Sequence, residues 1–237
     1  MNKQSNTYTI LYIIVMVIVV GAAMAWVSLS LHDRQQANAD ADTKRQILAS
    51  VHITADKGNE ASTFSKYITA QYLVDMQGNI VEQGPDVAFD INVAAQSKLA
   101  DADRKLPVYV CTTDQNETKY IIPLYGAGLW GPIWGYVSFN ADGSTIYGAY
   151  FAHQGETPGL GAEIEKPWFS DQFDGKTVIH NDRFLPVAVV KKGQVPTNGE
   201  DYVNGISGGT ITSKGVSAML DNCLQPYAAF LTNAKNQ

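Results

Sequence analysis

The chain has 237 residues, 45% of them hydrophobic and 17% charged, enough apolar content for a sizeable core and incompatible with a largely disordered polypeptide. A formal net charge of −6 gives no general positive field for nucleic-acid phosphates. The only two cysteines, Cys111 and Cys223, lie far apart in sequence, which excludes a disulfide scaffold, a zinc ribbon and an all-cysteine iron–sulfur cage and leaves their pairing open.

After a short tail (1–9), residues 10–31 run ILYIIVMVIVVGAAMAWVSLSL without one charged side chain. As a helix rising about 1.5 Å per residue, such a run spans roughly 30 Å of hydrocarbon. Tyr12 and Trp26 suit interfacial anchoring. Ala23-Met24-Ala25 resembles a leader cleavage site, but Lys3 is the only charge before the run and the apolar residues continue past the cut, which favours a retained membrane anchor. Lys3 before the span and Arg34, Lys44 and Arg45 after it, diluted by Asp33, Asp40 and Asp42, assign no side of the membrane. Residues 32–50 are rich in helix formers and read as a solvated helical connector, with a packed domain at 51–237.

The domain reads as α+β, an antiparallel sheet with flanking helices. Two hairpins are predicted: 72–76 with 80–81 about Gln77-Gly78-Asn79, and 135–139 with 144–148 about Asn140-Ala141-Asp142-Gly143. Between them, 89–102 has alanine-rich helical composition, and 108–110 and 120–122 are β-prone, as are 177–179 and 187–190. Residues 217–233 carry apolar side chains at helical spacings, with Pro226 as a kink.

Three glycine-rich clusters, none placed at a plain hairpin tip, stand out. The first, LYGAGLWGPIWGY (124–136), interleaves glycines with Tyr125, Trp130 and Trp134, as a platform for a flat conjugated ring or as a glycine-bent strand with buried tryptophans. Without a strand–helix GxGxxG it is not a dinucleotide fingerprint. The second, HQGETPGLGAEI (153–164), breaks any helix between His153 and Glu156, which argues against a metal pair there. It leaves either a rigid backbone-exposed loop around Glu156, Thr157, Leu160 and Gly161 or an ordinary surface turn. The third, NGISGGTITS (204–213), places Ser207, Gly208, Gly209 and Thr210 just before a helix, where amides and hydroxyls converge on an anion or simply cap the helix. It lacks the spacing of a P-loop.

Together these clusters resemble the C subunit of the sodium-translocating NADH:quinone oxidoreductase, and more broadly the FMN-binding domain shared with the G subunit of the Rnf electron-transport complex. The resemblance covers nearly the whole chain. In that family FMN is joined through its phosphate to a threonine within a motif of the type D-G-x-S/T-G-A-T. The run from Asn204 to Thr210 matches it, with Asn204 in place of the acid and Gly209 in place of the alanine. The resemblance implies Thr210 as the acceptor, with Thr212 the second candidate, and a separate flavin transferase acting on FAD. It also implies a ring against the segments of Trp130, Trp134 and Leu160, Glu156 and Thr157 near its polar edge, Gly161 beside them, and Ser207, Thr212 and Lys214 at the phosphate end. The implied role is a single-pass flavoprotein of the bacterial inner membrane with a periplasmic domain and no NADH site. It relays electrons from an iron–sulfur centre in a neighbouring subunit to a second covalent-flavin subunit of a sodium-pumping, ubiquinone-reducing translocase. An Rnf-type carrier and a non-redox membrane-anchored binding module are the alternatives.

Overall fold

The computed structural model describes residues 6–235, so Lys3 and the first five residues of the tail at 1–9 lie outside the described residues, as do the last two of the domain at 51–237. One helix, α1 (Asn6–Ala49), carries both the apolar run and the charged stretch after it. Its side chains from Ile10 to Leu29 are exposed, as befits a helix long and apolar enough to cross a membrane. The chain divides at Thr43, and the compact unit begins at Lys44. The last turns of α1 belong to that unit, with Ile47 and Leu48 fully buried.

The unit continues with α2 (Glu60–Tyr67), β1 (Ile68–Val74), β2 (Ile80–Gln83), α3 (Val93–Gln96), β3 (Leu106–Thr112), β4 (Thr118–Ala127), β5 (Pro132–Asn140) and β6 (Ile146–His153). There follow α4 (Pro167–Ser170), β7 (Ile179–His180), β8 (Arg183–Phe184), β9 (Ala188–Val190), β10 (Tyr202–Asn204), α5 (Thr210–Leu224) and α6 (Ala228–Lys235). Six strands form one sheet in the order β2-β1-β3-β4-β5-β6, every neighbour antiparallel. Both expected hairpins are present. Asp75 stabilises the first turn by accepting from the Asn79 amide (2.8 Å), and Asp142 the second by accepting from the Ser144 and Thr145 amides (2.8 Å each).

Period-two alternation divides the side chains between two cores. Along β5, Ile133, Val137 and Phe139 enter the larger core with Val216, Met219, Leu220 and Leu224 of α5 and a ring cluster of Phe151, Phe169 and Phe173. Tyr136 enters the smaller one, with Ile47 and Leu48 of α1, Phe64 of α2, and Cys111. The end of α1 is fixed there by Ser138, whose hydroxyl donates to the Ser50 carbonyl (2.5 Å), and by the Arg45–Glu60 ion pair (2.6 Å).

Three expectations are corrected. Residues 89–102 form only the single turn α3 and a 3₁₀ turn at Asp101–Asp103. Asn92 caps that turn by accepting from Ala95 N–H (2.9 Å), and α3 has no buried residue to draw out a longer helix. Strand 177–179 shrinks to the β7–β8 pair and one bridge from Thr145 to Thr177. The first glycine cluster is a hairpin after all: residues 128–131 close β4 onto β5, with Gly128 N–H donating to the Gly131 carbonyl (2.8 Å).

Candidate functional site

The three glycine clusters meet at one carboxylate. Beyond β6 the chain turns through 154–160, where the Thr157 carbonyl accepts from the amides of Leu160 and Ala162 (3.1 Å each) and Glu156 N–H donates to His153 Nδ1 (3.1 Å). These bonds direct the Glu156 side chain inward, where it is 4% exposed. Its Oε1 accepts Trp130 N–H (2.8 Å), and its Oε2 accepts the Thr212 hydroxyl (2.5 Å). Burial pushes this carboxyl up, but the Thr212 hydroxyl and the amides of Trp130 and Leu129 outweigh it and hold it below the usual glutamate range. It is therefore an anion at neutral pH, lying at the first turn of α5, where the helix dipole favours negative charge. Two glycines make room for it. A Cβ at Gly128 would lie 2.5 Å from Oε1, and one at Gly161 would strike Oε2 and lie 2.5 Å from the Thr212 hydroxyl.

The approach to α5 is fixed with equal care. Both backbone groups of Asn204 bond to the Gln172 side chain, N–H to Oε1 (3.0 Å) and carbonyl to Nε2 (3.3 Å). Gly205 N–H donates to the Val190 carbonyl (2.7 Å), and Ile206 N–H donates to Ser213 Oγ (2.9 Å). The chain then reverses through Ser207 and Gly208 to Gly209, the N-cap of α5. Glycine offers no capping side chain, so the amides of the first turn are left for another acceptor. Thr210, the first helical residue, is exposed, whereas Thr212 is 1% exposed. Leu160 and Gly161 pack directly on Gly208 and Gly209. The exposed apolar side chains Leu129, Trp130, Leu160 and Ile211 stand on these same segments.

Glu156, Thr212, the Trp130 backbone, Leu160, Gly161, Gly208 and Gly209 are thus brought together, with Ser207 and Thr210 exposed on the connecting turn. Glu156 and Thr212, assigned by the resemblance to opposite ends of the cofactor, are hydrogen-bonded to each other. Thr157 serves through its carbonyl, and Lys214 is exposed one turn along α5. Trp134 stands apart. It sits next to Ile133 in β5 and so points to the opposite face of the sheet, where its indole N–H donates to Gln46 Oε1 of α1 (2.9 Å). Gln172, Ser213, Leu129 and Ile211 are contributors that residue type alone does not disclose; only the helical period, which places Thr210 and Ser213 on one side of the turn, hints at Ser213.

The FMN-binding domain family matches residues 128–225, a stretch that includes every one of these contacts except that of Trp134 with Gln46 of α1. Over 99% of this chain and 97% of its own length, the C subunit of the Na(+)-translocating NADH-quinone reductase of Vibrio alginolyticus is 33% identical. Its counterpart from Vibrio anguillarum is 32% identical over 93% of this chain and 91% of its own. The chain belongs to this C-subunit family. The crystal structure of the family member from Parabacteroides distasonis is 48% identical and superposes with a TM-score of 0.76 over 85% of this chain and 97% of that one.

The residues of this family member fit an FMN. A phosphate needs donors, and the uncapped amides of α5 supply them beside an exposed threonine hydroxyl. A flavin ring needs apolar surface, and Leu129, Trp130, Leu160 and Ile211 offer it on the adjoining turns.

Proposed function

We propose that this protein carries FMN as a phosphoester on Thr210 and holds it in the electron path of a Na(+)-translocating NADH-quinone reductase. The contrast between two threonines carries this reading. Thr210 is exposed at the uncapped start of α5, whereas Thr212 is buried with its hydroxyl proton committed to Glu156. An acceptor must reach a modifying enzyme, and Thr210 does.

A threonine hydroxyl needs activation to act as a nucleophile, and the nearby carboxylate of Glu156 is engaged by Thr212 and Trp130 instead. A separate flavin transferase therefore supplies the base and a divalent metal to polarise the donor. Thr210 Oγ forms a bond to the FMN-side phosphorus of FAD, the bond from that phosphorus to the bridging oxygen breaks, AMP leaves, and the hydroxyl proton passes to the transferase. Nothing is oxidised or reduced. The exposed turn Ser207–Gly208 presents the site to that enzyme.

FMN, once attached, supplies one-electron redox chemistry. The chain's own task is to fix its phosphate on the α5 amides, to shield its ring with Leu160, Trp130 and Ile211, and to anchor it at the membrane through α1. In this reading the donor is an iron–sulfur centre in a neighbouring subunit, the acceptor is a second covalent-flavin subunit, NADH is oxidised elsewhere in the complex, and the domain faces the periplasm. Co-expression of the full chain with a flavin transferase, followed by denaturation in SDS, tests the proposal. A fluorescent yellow band is expected. A dark band, with the transferase active on a control substrate, would overturn covalent attachment.

A further inference from the structure

We propose that Glu156 is the positioning residue that selects Thr210 over Thr212 for modification and holds the 128–131 turn against the start of α5. The inference rests on the flavinylation reading above and deepens it.

The segments 128–131, 154–161 and 206–213 are distant in sequence: Thr212 lies 56 residues after Glu156, and Glu156 lies 26 after Trp130. A single carboxylate bonds both distant segments, through different oxygens. Anchoring the third residue of α5 fixes the direction in which the first-turn amides point and leaves Thr210 outside. It also occupies the Thr212 hydroxyl as a donor, and the surrounding burial bars a second substrate from it. The carboxylate lies close against the backbone at Gly128 and Gly161, where one added carbon would displace it. The neighbouring polar ties each join only two segments: Ser213 ties α5 to Ile206, and Gln172 holds Asn204.

The test uses the full chain with and without the transferase and compares wild type, Glu156→Ala, Glu156→Gln and Thr212→Val. The transfer followed is the one from FAD with AMP leaving, read as in-gel flavin fluorescence against time, with the adduct located by peptide mass mapping. Amide hydrogen exchange on the unmodified chain is the second readout. For Glu156→Ala we expect the labelling rate to fall about tenfold, the loss of roughly one charge-assisted hydrogen bond. Exchange should rise at 128–131 and 210–213 while β3 to β6 stay protected. Glutamine keeps an acceptor for Trp130 N–H and a polar partner for Thr212, so Glu156→Gln should label within about threefold of wild type. Thr212→Val should label only at Thr210 and at a reduced rate.

Labelling of Glu156→Ala at the wild-type rate would overturn the proposal. So would exchange that rises uniformly across the sheet, which would mark Glu156 as a general stabiliser. If wild type itself is dark, the flavinylation reading fails, while the exchange pattern on the unmodified chain still decides whether Glu156 clamps the two segments.

Discussion

Replacing Thr212 by valine removes one hydroxyl from a site that is 1% exposed and changes its shape little. The lost bond is 2.5 Å long and ends on an ionised carboxylate, a class worth roughly 1.5–3 kcal/mol. For a domain of this size each kcal/mol moves the midpoint by about 2–4 °C, so the variant should melt roughly 3–12 °C below wild type at pH 7. The pH dependence carries the sharper information. The folded-state pKa of Glu156 lies below its ordinary value of 4.5, so its stabilisation is present above that value and is lost as pH falls through the lower folded one. His153 faces it and adds to the downward shift. In Thr212→Val the principal donor is gone and the folded pKa rises. The two proteins should therefore differ most at neutral pH and converge only once the pH has fallen below the lowered folded pKa of Glu156. Near-ultraviolet circular dichroism of the full chain in detergent, melted at pH 7 and at a series of values below 4.5, measures this. Thr210→Val serves as the control and should stay within about 0.5 kcal/mol of wild type, because that side chain is exposed. A Thr212→Val protein as stable as the control at pH 7, or one whose deficit stays constant down to the acid limit of folding, would contradict this account.

Gly161→Ala places a methyl group against the Glu156 carboxylate and the Thr212 hydroxyl, and should cost roughly 1–3 kcal/mol in urea unfolding together with most of the flavin labelling. Gly155→Ala, with open space around the added carbon, should change neither. Cys111 is fully buried, with its thiol pushed up to about 11 by burial, and the Cys223 thiol is also raised, by burial above all, while donating to the Tyr125 carbonyl (3.3 Å). Both are free thiols on different cores, so thiol titration should find two reactive groups after denaturation and much slower reaction in the native protein. Two thiols that react in the denatured protein only after a reductant is added would contradict that arrangement.

Much of the fold was legible because its signals are local. The span at 10–31 is a matter of apolar length, the two hairpins announce themselves through Asp, Asn and Gly between β-branched and aromatic runs, and Pro226 marks the break between α5 and α6. The segment 89–102 misleads because alanine favours helix only weakly, and tertiary burial, which that stretch lacks, decides the outcome. From residue type and spacing alone the candidate site was legible as three separate glycine clusters, and only the family resemblance gathered them around one cofactor. Their union depends on Glu156 reaching Thr212 and Trp130 across the fold, and no spacing rule encodes a contact of that range. Trp134 was readable in principle: strand alternation sends it away from Ile133, and its motif places it beside Trp130 only along the chain.

Attachment of FMN to Thr210 is the step on which the proposed role depends, and in-gel flavin fluorescence addresses it without intermediaries. Wild type, Thr210→Ala and Thr212→Val are each co-expressed with the transferase and denatured in SDS, and the labelled peptide is identified by mass. Fluorescence is expected in wild type and in Thr212→Val, each carrying the adduct on Thr210, with a dark Thr210→Ala band. A fluorescent Thr210→Ala band, or an adduct mapped to Thr212 in wild type, would contradict attachment at Thr210.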